Sequence, residues 1–239
     1  MTSSVDWWLK SDAGLIARVA VGATILAGLA ARDLVCNGRK ATRWREYLFL
    51  VLAAAIAMVY GAMNDRIASS ISWEYFYYGK GLDEQLGPRV PPDMATLRWE
   101  ACKVGLKATW SVGLIIGVLF LFANNPRPHR RQLPYFHLMP LLLMVFLVAA
   151  LFAVIGGLLG SGGWLVWSRD LRAIARDDLF RPKHFMAVYG INLGAYVGGI
   201  IATVAGVMHI ARRRRSCAYG LGTSYAAKPA LDGSTDDCP

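Results

Sequence analysis

The sequence predicts an all-α fold: a polytopic transmembrane bundle of about five membrane helices, or four if the first apolar block lies flat on the surface. Hydrophobic residues make up 55% of the 239 residues and mean hydropathy is +0.37. They gather into blocks of near-spanning length rather than spreading at the period of a soluble helix or strand. Basic residues cluster at the ends of these blocks, where the positive-inside bias places them, so the net charge of +10 reads as orientation in a membrane. No basic face or nucleic-acid-binding motif accompanies that charge, and no nucleic-acid partner is expected. The chain divides into a tail and first helix at 1–35, a membrane core at 36–211 with outer loops at 64–102 and 160–184, and a basic, polar tail at 212–239.

The block from Ala13 to Val35 is Ala/Gly-rich and long enough to cross a hydrocarbon core of about 30 Å at roughly 1.5 Å per residue. Asp12 can cap its start, and Trp7 and Trp8 suit a membrane interface. Arg18 leaves two arrangements open: a spanning helix whose arginine snorkels to the headgroups, or an interfacial helix on the cytoplasmic surface. A basic segment at Arg39, Lys40, Arg43 and Arg45 precedes the second run, Tyr47 to Met63. That run is expected to deliver Asn64 and Asp65 to the far interface. A polar loop of nearly forty residues follows, interrupted by Pro88, Pro91 and Pro92. Five aromatics from Trp73 to Tyr78, broken only by Glu74, mark it as ordered.

The third helix is expected from about Lys103 to Ala123, ending at the basic turn NNPRPHRR, and the fourth from about Phe136 to Leu159. Ser168 to His184 mixes charges around Leu171, Ile174 and Leu179, as a short helix at the outer interface would. The last span, Phe185 to Ile210, ends against Arg212 to Arg215. The 26 Lys and Arg divide evenly between the two sides of this topology. Orientation therefore rests on the dense clusters at Arg39 to Arg45, Arg127 to Arg131 and Arg212 to Arg215, which agree in placing the C-terminus in the cytoplasm.

Two seams of small residues imply close helix packing, because in lipid the contact itself must supply the energy. One is Gly190, Gly194, Gly198, Ala202 and Gly206; the other is Gly105, Thr109, Gly113 and Gly117. Packing within the chain and association of copies into a homo-oligomer both satisfy them. Cys36, Cys102, Cys217 and Cys238 fall at no metal or disulfide spacing and are expected as free thiols. The four histidines are scattered near interfaces, and no carboxylate falls at mid-membrane, so neither a metal nor another cofactor is expected. The N-terminus MTSSVDWWLK lacks the layout of a cleavable signal peptide.

The run YGAMNDRIASSISWEYF from Tyr60 to Phe76, followed by GLKATWSVG from Gly105 to Gly113, resembles an uncharacterised family of bacterial inner-membrane proteins. That family carries Y-G-x-x-x-D-Q-I, then I-S-x-E-Y-F, then a G-x-x-A-[ST]-W-x-x-G helix; Arg66 stands here in place of its Gln. The resemblance covers about a third of the chain and implies a multi-helix bacterial membrane protein with no established activity. The matching positions are Asp65, Ile67, Ile71, Ser72, Glu74, Tyr75, Phe76, Ala108, Thr109, Trp110 and Gly113. They admit an outward-facing pocket in which Asp65 and Glu74 are walled by Tyr75, Phe76 and Trp110 and countered by Lys107 or Arg66. They equally admit an aromatic interfacial belt with Asp65 capping a helix or pairing with Arg66. No catalytic motif is present. The leading expectation is a non-enzymatic scaffold or accessory subunit that contacts lipid and an envelope or membrane protein. A small oligomeric transporter or channel, and an enzyme acting at the outer interface, are the alternatives.

Overall fold

The computed structural model describes residues 11–126, 132–165 and 180–225, with side chains through 215 apart from Lys40. Trp7, Trp8, the basic turn at 127–131, most of the Ser168 to His184 segment, the side chain of Cys217, and Cys238 lie outside it. Among the described residues five long helices make the fold: α1 Asp12–Asn37, α2 Trp44–Ile71, α3 Met94–Ala123, α4 Leu138–Ser161 and α5 Pro182–Tyr225. All five are long and apolar enough to cross a membrane, and large apolar side chains such as Leu147 and Leu158 stand exposed along them. This is an integral membrane protein.

α1 is capped by Ser11, whose Oγ accepts from the Gly14 amide at 3.0 Å; Asp12, expected as the cap, is instead the first-turn acid. It pairs with Lys103 (3.0 Å) and Lys107 (2.5 Å) of α3. At the other end, Asp33 accepts from the Trp44 amide (3.2 Å) and the Asn37 side chain (2.7 Å). α1 is thus tied down near both of its own ends, and its 26 residues cover about 39 Å, long enough to span. Arg18 folds back to donate to the Gly14 carbonyl at 3.0 Å.

The boundaries of α2 and α3 correct the expectation of a long loop. α2 continues two turns past Met63 to Ile71, and α3 begins at Met94, nine residues before Lys103. Nothing between Asn64 and Ile71 breaks a helix, and Ser69 and Ser70 donate back to the Arg66 carbonyl at 2.8 and 3.2 Å. Asp93, following Pro91 and Pro92, caps α3 by accepting from the Thr96 amide and hydroxyl. Between them lie a π-helical turn at Tyr75–Gly79 and one turn of α-helix at Asp83–Leu86. α5 likewise outruns its expected limits, with Pro182 at its first position.

The helices pack as two hairpins. In α2/α3, a Cβ on Gly105 would strike the backbone of Gly61, and one on Gly113 would strike the Ala53 carbonyl. Thr109 fits because Gly61 opposite it carries no side chain. In α4/α5, Gly156 and Gly160 face Gly190 and Met186 so closely that a Cβ would overlap their carbonyl oxygens, and Gly194 lies equally close to Phe152. The expected seams therefore have partners in the same chain. Gly206 differs: it accommodates the ring of Phe120 from the other hairpin.

Two apolar clusters join the hairpins, one at each end. Phe49, Phe120, Leu142 and Ile210 belong to the cluster at the basic end; Phe76, Leu82, Phe185 and Val188 belong to the one at the opposite, cap end. At the basic end Arg214, buried on α5, donates to the carbonyls of Ala123 and Asn125 at 2.6 Å each. These bonds satisfy carbonyls that the end of α3 leaves open, and a cation at a helix C-terminus also opposes the helix dipole favourably.

Gly156→Leu should lower the unfolding midpoint in detergent by the equivalent of about 1–3 kcal/mol or more, as overpacking a close contact does. Gly22→Leu on α1, where nothing lies within 4 Å of the added carbon, should leave it unchanged. Equal stability of both variants, followed by intrinsic fluorescence, would contradict the seam.

Candidate binding cleft between the hairpins

Between the hairpins a cleft of about 400 Å³ remains, lined by α2, α3, α4 and α5. Its long axis is apolar, through Val112, Ile116, Val145, Phe146, Ile200 and Val204. Toward the cap it becomes polar, with Tyr60, Asn64, Asp65, Lys80, Asn192 and Tyr196. A second cleft of about 510 Å³ opens between α2, α4 and α5 and shares Tyr60 and Asn64 with the first.

Asp65 is the carboxylate of the polar end, 6% exposed although it sits on a membrane helix. Its Oδ1 accepts from the side chain of its neighbour Asn64 at 3.1 Å. Oδ2 has no hydrogen bond among the described residues and is not sealed off, and the residue lines the cleft. The hydroxyl of Tyr60 is buried and has no partner among the described residues, while its ring packs on Phe146 with centroids 5.4 Å apart. Leaving a buried hydroxyl unpaired costs about 1–3 kcal/mol.

Behind Asp65 stands Tyr75, in the π-helical turn. Burial pushes its hydroxyl pKa up, and the neighbouring charge of Asp65 pushes it further, so it stays protonated. The Lys80 ammonium lies 5.6 Å from the centre of the Tyr75 ring, a cation–π arrangement, at the mouth of the cleft.

The other expected site residues are placed elsewhere. Glu74 is 1% exposed and accepts from the Phe180 amide at 2.6 Å and the Arg181 amide at 3.1 Å, which fastens the cap of one hairpin to the start of α5 in the other. Phe76 is wholly buried in the cap cluster, edge-on to Tyr75. Lys107 pairs with Asp12 rather than Asp65. Arg66 is exposed and Trp110 half-buried, and neither lines the cleft. The structure thus brings Asp65 and Tyr75 together and does not join Glu74 to them.

Sequence reasoning missed Tyr60, Lys80 and Tyr196. A signal existed on α5, where Asn192, Tyr196 and Thr203 recur on one helical face, distinct from the glycine seam. Among the described residues no group of His, Cys, Asp or Glu is placed to hold a metal ion. No family profile, curated protein or solved structure matches the chain.

Replacing Glu74 by Ala leaves the Phe180 and Arg181 amides without their acceptor and should lower stability by about 1–3 kcal/mol, with Glu74→Gln falling between. Thermal unfolding in detergent measures both; an unshifted Glu74→Ala would show that the cap is held by its apolar contacts alone.

Proposed function

We propose that this protein is a non-enzymatic component of a bacterial cytoplasmic membrane that binds an amphiphile of the surrounding bilayer in the cleft between its hairpins. The observation that carries this reading is the polarity gradient of the cleft: a carboxylate and an ammonium at one end, and an apolar length shaped by four helices at the other. Such a site suits a molecule with a polar head and a hydrocarbon tail. The engagement of both Glu74 oxygens with backbone amides favours binding over a two-carboxylate catalyst at the outer interface. Gly199 lines the cleft with nothing within 4 Å of an added carbon. Gly199→Leu should therefore fill the space without disturbing the fold, and lose most of the lipid seen in native mass spectra of the wild type. Unchanged lipid retention would contradict the reading.

The bacterial setting rests on the motif resemblance, and the orientation on the basic clusters. Arg39 to Arg45 at the start of α2 and Arg212 to Arg215 on α5 lie at the same end of the bundle, since Arg214 reaches the end of α3. That end is cytoplasmic under the positive-inside rule. Cys102 is buried, which makes it a poor reporter. A cysteine at Gln85 in the cap should react with an impermeant maleimide in intact cells, while the exposed Cys36 should react only after permeabilisation; the reverse pattern inverts the orientation.

A second reading is favoured by α1. Only 6% of its spanning window is buried, and it is anchored near its ends. A loosely packed Ala/Gly-rich helix is suited to receive a helix of a partner membrane protein or of a second copy, which would make the protein an accessory subunit whose cleft lies in the core of a larger assembly.

A further inference from the structure

The geometry points to a phospholipid whose headgroup carries an N–H donor, of the phosphatidylethanolamine class, as the occupant of the cleft. This inference rests on the amphiphile-binding reading and adds the identity of the headgroup. The ammonium binds Oδ2 of Asp65, the phosphate faces the Lys80 ammonium at the mouth, and one acyl chain runs down the apolar length past Phe146.

Charge complementarity selects this class. Asp65 and Lys80 both line the cleft, yet the ion pairs of the described residues include neither of them. The site therefore offers a separated negative and positive charge, and a zwitterionic headgroup offers the same two charges in return. A purely anionic headgroup would satisfy Lys80 but set its phosphate near the Asp65 carboxylate. A quaternary ammonium would bring the positive charge but no N–H, so Oδ2, in a residue more than nine-tenths buried, would stay without a donor. Depth agrees as well: Asp65 lies in the last two turns of α2, at the cap end where headgroups reside, and Lys80 is exposed to water beside it.

The test is competitive retention by the full chain in mild detergent, read by native mass spectrometry. The probes are phosphatidylethanolamine, its mono- and dimethylated forms, and phosphatidylcholine, all with matched acyl chains. The three lipids that keep an N–H should be retained, with a drop of about tenfold at phosphatidylcholine, the scale of one charge-assisted hydrogen bond. Asp65→Asn should bring the series toward parity, and the wild-type series gives the answer even if that variant folds poorly. Equal retention of all four lipids, each displaced by Gly199→Leu, overturns the headgroup assignment and leaves the cleft as an amphiphile site. Retention that Gly199→Leu does not change overturns both.

Discussion

Backbone-to-backbone approach at glycine is the constraint on which the rest of this structure depends. Lipid gives helices little hydrophobic reason to associate, so the contact must come from dispersion between surfaces close enough to touch. Gly61 against Gly105 and Gly156 against Gly190 supply that contact, and each would be lost on adding one carbon. The consequence is a division of the bundle into two stiff pairs, because such seams exist within each hairpin. Between the hairpins the contact is made instead by bulky side chains: Phe120 fills the notch at Gly206, Tyr60 packs on Phe146, and Phe76 and Phe185 close the cap.

Polar chemistry follows the same division. At the ends, buried polar groups are satisfied across the hairpin boundary: Glu74 by the amides before α5, Arg214 by the carbonyls ending α3, and Asn124 by the Leu133 main chain, through two bonds of 2.8 Å. In a low-dielectric interior these bonds are strong, and breaking one is costly. Asp65 stands out against that background, since its Oδ2 has no hydrogen bond among the described residues and the residue lines the space the hairpins leave between them. A cleft sealed by hydrocarbon alone would be filled by any acyl chain; the polar groups at its cap end give it a preference.

Much of this was legible from residue patterns. The five spans, their order and the two seams follow from blocked hydropathy and from small residues at four-residue spacing, because both signals are local. Helix ends were read less well, for a physical reason. Polarity at Asn64 marks where a chain leaves hydrocarbon, whereas the helix persists until Ser72, because no residue before it removes a hydrogen bond or a favourable dihedral. The Asp65 and Tyr75 neighbourhood was legible as a motif, but Glu74 was not separable from it in sequence. Its partners, Phe180 and Arg181, lie over a hundred residues away, and they are main-chain amides that carry no sequence signature. Lys107 went to Asp12 for a similar reason: the register of α1 against α3 sets that pair.

The central claim is that the hairpins are close-packed internally and leave a cleft between them. A side-chain-resolution map of the protein in a lipid nanodisc tests it directly. The account predicts elongated density between α3 and α5, running from the level of Thr203 to the Asp65 carboxylate, with α2 and α3 still in contact at Gly61 and Gly105. Hairpins closed against each other along their full length, with the Tyr60 hydroxyl bonded to a protein group, would contradict it.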